Sequence, residues 1–407
     1  MAKTNFLFTT LIILGYHLTF ATPIISRLPC NDTTKIDSVP QKDAIDILHS
    51  LFNRKALADT QKVKKRTNIS VLPVAGYTLS TGFTAGVGGI AAFFTTKNHN
   101  EHESIINFQA FYTSHHQQIF ATQSNIFTNK DQFKFVTDLR TNKYPDITYG
   151  LGDNTTTATA DSINYNYIRI YQTILKKIGP NLYAGGGYCL DYHYNIVESG
   201  TANNTVSSFD KYGETSNSRS SGYNLNIVFD TRYNPINPLK GTYANIFYRG
   251  NLTALGGDSK WSSIQIDLRK YFKLSNHSKN ILGIWSYTWL TLAGKQPYLD
   301  LPSIGNDTYN NTGRGYPIGR FRGKNMFYLE SEYRFGITRD GLLGGVVFAN
   351  LQSYPRDVIG KLKTFIPAGG SGLRIKVNKR TNTNVAIDYG IGIDGSHGIF
   401  VNLGEIF

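Results

Sequence analysis

Asp191 and His193 are the side chains best placed for acid–base chemistry. They stand two residues apart in an alternating stretch, so both point to the same, inward face of one strand. A hydrolase needs more: a serine in a nucleophile setting, or metal ligands at a recognisable spacing, and the sequence offers neither. His115 and His116 are adjacent and would point to opposite faces of an extended chain. Two cysteines, Cys30 and Cys189, are too few for a disulfide framework, and their spacing does not decide whether they pair. Triplets such as Asn31-Asp32-Thr33 match a glycosylation pattern that arises by chance in an Asn- and Thr-rich chain. These residues point to a protein without catalytic residues, metal or cofactor, in which Asp191 and His193 line a polar interior.

The elements that carry them must be strands. Only 17% of residues are charged and 13% are aromatic. That is too few charges for an ordinary water-exposed surface, and a mean hydropathy of -0.27 is too polar for a helical membrane protein. Beyond the N-terminus no run of about 18 apolar residues exists, so no mature transmembrane helix is expected. A barrel satisfies both constraints, because each strand needs apolar side chains on one face only. A formal charge of +14 suits a solvated periplasmic and lumenal surface, or attraction to the phosphates of lipid and lipopolysaccharide. The basic run Lys62 to Arg66 stands where it could face such headgroups. Nucleic acid is not an expected partner of an exported barrel.

Three parts follow from the pattern. Residues 1–21 read as a secretory signal: Lys3 is the positive start, Phe6 to Leu14 the apolar stretch, and Thr19-Phe20-Ala21 the small-x-small cleavage site. Residues 22–69 form a short periplasmic segment in which Asp43 to Leu57 has helical spacing, with Ile45, Leu48, Leu51 and Phe52 on one face. Residues 70–407 alternate with period two. Sixteen segments stand near 70–78, 82–95, 103–115, 117–128, 132–144, 163–177, 181–196, 220–233, 241–252, 260–273, 280–293, 325–337, 342–352, 370–379, 383–393 and 398–407. The sixth shows the alternation only in part, whereas Tyr223, Leu225, Ile227 and Phe229 of the eighth show it well. Sixteen is even, as a closed antiparallel barrel of the bacterial type requires. Connections after even-numbered strands are short, such as Gly179-Pro180. Several after odd-numbered strands are long, as periplasmic turns and extracellular loops should be. A soluble sandwich or propeller is the competing fold, but no blade repeat is present.

The last segment places Ile399, Val401, Leu403 and Glu405 on one face with Phe407. A terminal aromatic after alternating apolar positions resembles the signal read by barrel-assembly machinery, and Glu405 departs from it. Further segments appear in order: Leu72-Pro73 through Gly76-Tyr77, Phe229-Asp230-Thr231-Arg232-Tyr233-Asn234-Pro235, Arg314-Gly315-Tyr316 with Gly319-Arg320-Phe321-Arg322, Tyr328-Leu329-Glu330-Ser331-Glu332-Tyr333-Arg334, Gly372-Leu373-Arg374, and Asp388-Tyr389-Gly390. Over residues 70–407 the chain resembles the bacterial surface antigen family, the superfamily of BamA- and TamA-type outer-membrane assembly and translocation barrels. The resemblance implies that the loop between strands eleven and twelve folds into the lumen, where its arginine, here Arg314, pairs with acidic wall residues. A guanidinium in a partly dehydrated lumen needs a carboxylate that suits its fork. Glu332 is the first choice, since Leu329 and Tyr333 must meet lipid and so turn Glu330, Glu332 and Arg334 inward. At the family's second acidic position this chain has Asn350, after Phe348-Ala349, which carries no charge, so either the clamp is weaker or Asp388 takes its place. The resemblance also implies periplasmic client-capturing domains, for which residues 22–69 have no room, so either a separate periplasmic partner is recruited or the chain's job differs from general barrel assembly.

Three functional classes remain. An insertase or translocase for outer-membrane or surface proteins would open a seam between the first strand, Ser70 to Thr78, and the last, Gly398 to Phe407, so that a client strand pairs with the exposed edge. Glycines in the second strand (Gly82, Gly86, Gly88, Gly89) would loosen that region, or else pack against the inserted loop. A passive channel or structural barrel would use Arg314 only as a plug. A barrel enzyme would need Asp191 and His193.

Overall fold

Alternating apolar and polar side chains suit a pleated strand between lipid and a polar interior. The computed structural model describes residues 40–51, 67–78, 82–96, 102–201, 206–213, 215–275, 280–355, 364–379 and 381–407. The signal sequence, Cys30, Asn31-Asp32-Thr33 and the basic run Lys62 to Arg66 lie outside these residues. Pro40–Phe407 form one compact unit.

That unit is a 16-stranded antiparallel barrel in which every strand pairs with its neighbours in sequence. The first eight strands are β1 (Thr67–Thr78), β2 (Gly82–Phe93), β3 (Ser104–Thr113), β4 (Gln118–Phe127), β5 (Phe133–Thr148), β6 (Asp161–Gly179), β7 (Leu182–Thr201) and β8 (Asn217–Asp230). The remainder are β9 (Gly241–Asn251), β10 (Trp261–Lys273), β11 (Ile281–Gly294), β12 (Asn325–Gly336), β13 (Leu343–Ser353), β14 (Ile366–Asn378), β15 (Thr383–Gly392) and β16 (His397–Leu403). Along β8 the alternation is strict: Tyr223, Leu225, Ile227 and Phe229 are exposed while Asn224, Asn226, Val228 and Asp230 are buried. β6 and β7 exceed the roughly 10 residues a tilted strand needs to cross a bilayer. Their pairing shifts register at Asp161/Ile163, Asn164/Asn166 and Lys177/Gly179. On β6 the inward face stays with the odd-numbered residues from Asp161 to Leu175, and the alternation of the sixth segment is imperfect because apolar Ile163 and Leu175 turn inward while Asn164 is exposed.

Several expectations are corrected. β1 begins at Thr67, three residues earlier than the pattern indicates, and α1 covers Ala44–Leu51, with the expected extension to Leu57 outside the described residues. Asp43 and Asp46 start α1 reciprocally, each accepting from the other's backbone N–H at 3.0–3.1 Å, and Lys379 Nζ pairs with Asp46 at 3.0 Å. His115 and His116 lie in a turn, His116 with φ 62°, and not on a strand. The largest correction is at the C-terminal end. β16 stops at Leu403, after which the chain turns inward at Gly404, where φ is +99°. Ile399 and Val401 face outward, but Phe407 is only 3% exposed and packs inside against Trp285 and Tyr271. Phe407 therefore does not share the outward face of Ile399 and Val401, and Leu403 packs against buried Ile90, Ala92, Ile105 and Ile236. Of the β2 glycines, Gly86 and Gly89 pack against β3, where Phe111 meets Gly86 and Phe108 covers Gly89, so the inserted loop is not what crowds these two.

β1 and β16 lie side by side. Among the described residues β1 forms a ladder with β2 only, from Thr67↔Phe93 to Thr78↔Gly82. Proline in a strand belongs at an edge, because it has no N–H to donate, and Pro73 occupies the middle of β1.

Candidate functional site

The 30 residues between β11 and β12 do not stay outside the barrel. They fold down the lumen, and much of the loop is buried, including Leu301, Ile304, Arg314, Tyr316 and Phe321. Asp307 organises its tip. Its Oδ1 accepts from the backbone N–H of Asn311 at 2.9 Å and Thr312 at 2.8 Å, and from Thr312 Oγ1 at 2.8 Å. From β5, Arg140 donates to Asn310 Oδ1 at 2.9 Å and to the Thr308 carbonyl, joining the tip to the opposite wall.

Arg314 stands 2% exposed beneath this tip. Its guanidinium donates to Glu332 Oε2 at 2.7 Å, to Asp388 Oδ2 at 2.6 Å and to Glu330. It also lies 3.7 Å from the ring centroid of Phe348, a cation–π contact. β12 supplies both glutamates because residues two apart on a strand share a face, and Leu329 and Tyr333 take the lipid side. Asn350 donates its Nδ2 to the backbone oxygen of Arg314 at 2.9 Å, so it holds the loop's backbone and leaves charge compensation to the three carboxylates. Gly315 meets Gly390 backbone to backbone, and a Cβ at Gly390 would lie 2.7 Å from Gly315 N. Tyr316 OH donates to the Pro367 carbonyl and accepts from Ile393 N at 3.0 Å.

Asp191 and His193 both face the lumen, but they do not act on each other. Asp191 accepts from Arg169 Nε at 2.8 Å, from Tyr167 and Tyr171 at 2.5 Å each, and from Arg249. His193 stacks on Tyr167, with ring centroids 4.5 Å apart, and lies 3.6 Å from Asp300 of the inserted loop. Burial, with a smaller contribution from the Asp191 charge, pushes the Asp300 carboxyl up to about 7. On the extracellular loop after β5, burial likewise raises Asp153, which accepts from Tyr354 N.

Sequence reading missed part of this interior. Asp138/Arg140, Asp230/Arg232 and Asp267/Arg269 each form a bidentate pair between residues two apart. The signal was an acid-x-arginine triplet on the inward face of an alternating segment. Sequence reading marked Glu405 only as a departure from the terminal pattern, without its partners: Glu405 accepts from Arg374 Nε at 2.7 Å and Asn384 Nδ2 at 2.7 Å. A cavity of about 470 Å³ runs between the paired residues and the β1–β16 gap. Its lining includes Arg169, Asp267, Pro73 and Val401.

No curated protein sequence matches the chain. Among solved structures, it is similar to BamA from Haemophilus ducreyi lacking POTRA domains 1–3. The TM-score is 0.52 at 13% identity, covering 83% of this chain and 69% of that one. It is also similar to CdiB from Acinetobacter baumannii, with TM-score 0.54, 13% identity and 84% and 60% coverage. CdiB from Escherichia coli gives TM-score 0.54, 9% identity and 83% and 62% coverage. The chain thus spans less than two thirds of either CdiB chain, and at these identities the likeness is one of fold. Residues 78–397 match the model of the Omp85 superfamily domain, and the chain belongs to the Omp85 superfamily.

Proposed function

We propose that this chain is an integral barrel of a Gram-negative-type outer membrane that inserts or translocates outer-membrane or surface proteins through its β1–β16 seam. The observation that carries this reading is the seam itself. β16 ends after 7 residues while β1 has 12, and no described ladder joins them. In a bilayer an unpaired backbone group costs several kcal/mol, so a strand edge left open there is a place where another strand is strongly favoured. Pro73 removes one donor from β1, which weakens closure on β16 further. A client strand could pair with the β1 edge and then be released as the seam recloses. No nucleotide, metal or covalent step is required, and the reading is non-enzymatic: Asp191 is saturated by four donors and serves the wall. Membership of the Omp85 superfamily supports the reading, as does the fold shared with BamA and CdiB. Lipid and lipopolysaccharide surround the barrel, and a separate periplasmic partner delivers clients.

The test is a seam lock. Cysteines replacing Ala75 and Val401, which line the same gap, are joined by a bismaleimide in a Cys30→Ser, Cys189→Ser background. The locked barrel is expected to fold and reach the membrane but to fail in replacing the wild-type protein in depleted cells. Full replacement by a barrel verified as locked would overturn the seam mechanism.

A further inference from the structure

The inward turn of the C-terminal residues has a charge logic of its own. Continued as a strand, β16 would put residue 405 on the outward face after Ile399, Val401 and Leu403. A carboxylate there would meet lipid. The chain instead leaves the sheet at Gly404, in a left-handed conformation open to glycine, and Glu405 enters the lumen with its side chain 2% exposed.

Inside, Glu405 closes a ring. Arg314 pairs with Glu332, and Glu332 with Arg334. Arg334 lies 3.7 Å from Glu405, and Glu405 pairs with Arg374 at 2.7 Å. Arg374 pairs with Asp388 at 2.5 Å, and Asp388 with Arg314 at 2.6 Å. None of the six side chains is more than 6% exposed. Two carboxylates, Glu332 and Asp388, are shared between a wall arginine and the loop arginine. Glu405 is the only other ring carboxylate offered to Arg334 and Arg374. Without it, Arg374 keeps Asp388, and Arg334 keeps Glu332 and the Phe407 backbone oxygen at 2.7 Å, so both wall arginines draw harder on the carboxylates they share with Arg314. A second contact joins the same two elements by a neutral route: Asn311, at the loop tip, donates to the Ile406 carbonyl at 2.6 Å and accepts from Asn402 at 3.3 Å.

We propose that Glu405 is a positioning residue that couples the inward-turned tail to the lumenal loop, so that freeing one loosens the other. The functional use of this coupling rests on the seam reading: β16 can lengthen for pairing only if the tail leaves the lumen, and that departure unclamps the loop. The coupling itself does not depend on any client.

Hydrogen exchange on the full-length protein in lipid vesicles tests it. Glu405→Gln is expected to raise exchange about tenfold or more in residues 397–407 and also in residues 303–322, while the β6 segment 169–175 stays unchanged. Arg314→Gln is expected to loosen the same two segments, and the double variant to do little more than either single one. Loosening by each variant of its own segment only, or additive effects, would overturn the proposal. If Glu405→Gln does not fold, Asn311→Ala keeps every charge and is expected to loosen both segments by a smaller factor; a change in one alone overturns the coupling. A seam-locked barrel that still functions removes the seam reading and leaves the coupling standing. An abolished function with uncoupled exchange does the reverse.

Discussion

Arg314→Met removes the positive centre of the loop clamp while keeping most of the side chain's volume. Arg314 faces Glu330, Glu332 and Asp388, and all four side chains are at most 2% exposed. After substitution Glu332 keeps Arg334 and Asp388 keeps Arg374. Glu330 keeps only the Tyr328 hydroxyl and a 3.5 Å contact with Asn350 Nδ2. The cost is therefore that of one buried carboxylate without a cation, together with the lost Phe348 contact. Breaking a buried ion pair from one side typically costs about 3–5 kcal/mol. At 1.4 kcal/mol per factor of ten, the open population of the loop should rise by roughly two to three and a half orders of magnitude. Hydrogen exchange over residues 303–322, with the barrel in lipid vesicles, reads that population directly. The same reasoning makes the double variant Arg314→Met/Glu330→Gln recover a large part of the loss, because it removes the orphaned charge. Unchanged loop exchange in the single variant, or no recovery in the double, would refute the assignment of Glu330 as the dependent partner.

Other consequences are as direct. A Cβ at Gly372 would overlap Asp388 Oδ1, so Gly372→Ala should displace that carboxylate and lower the thermal midpoint, and an unshifted midpoint would show that Asp388 has room to move. Asp300 has its carboxyl raised to about 7 in the docked loop, so docking binds a proton. This contribution to docking is fully present below the ordinary carboxylate range and is lost as pH rises through about 7. A spin label near Asp300 should become more mobile between pH 5 and pH 8, and Asp300→Asn should abolish that change. Single-channel recordings should show a closed or flickering barrel, because the loop occupies the lumen; a large steady conductance would favour a passive pore.

Much of the barrel was legible from period two, since lipid on one side and a polar interior on the other impose that pattern on each strand. The sixth segment was obscured because apolar Ile163 and Leu175 face the interior while Asn164 is exposed, so side-chain polarity does not follow the two faces of the strand. Glu332 stood out as inward, but Glu330 shares its face, and residue spacing cannot decide which of two such carboxylates a loop arginine reaches. The C-terminal turn was hidden because Ile406 and Phe407 are apolar enough to pass for a continuing strand. What decides against continuation is one charge, Glu405, whose two arginine neighbours come from strands 31 and 71 residues earlier.

Depletion of the protein in its native cell, followed by quantitative proteomics of the outer membrane and cell surface, is the most direct test of the proposed role. The seam reading predicts selective loss of a set of barrels or surface proteins at unchanged transcript levels, and that set would identify the clients. An unchanged protein inventory in verified depleted cells would contradict it.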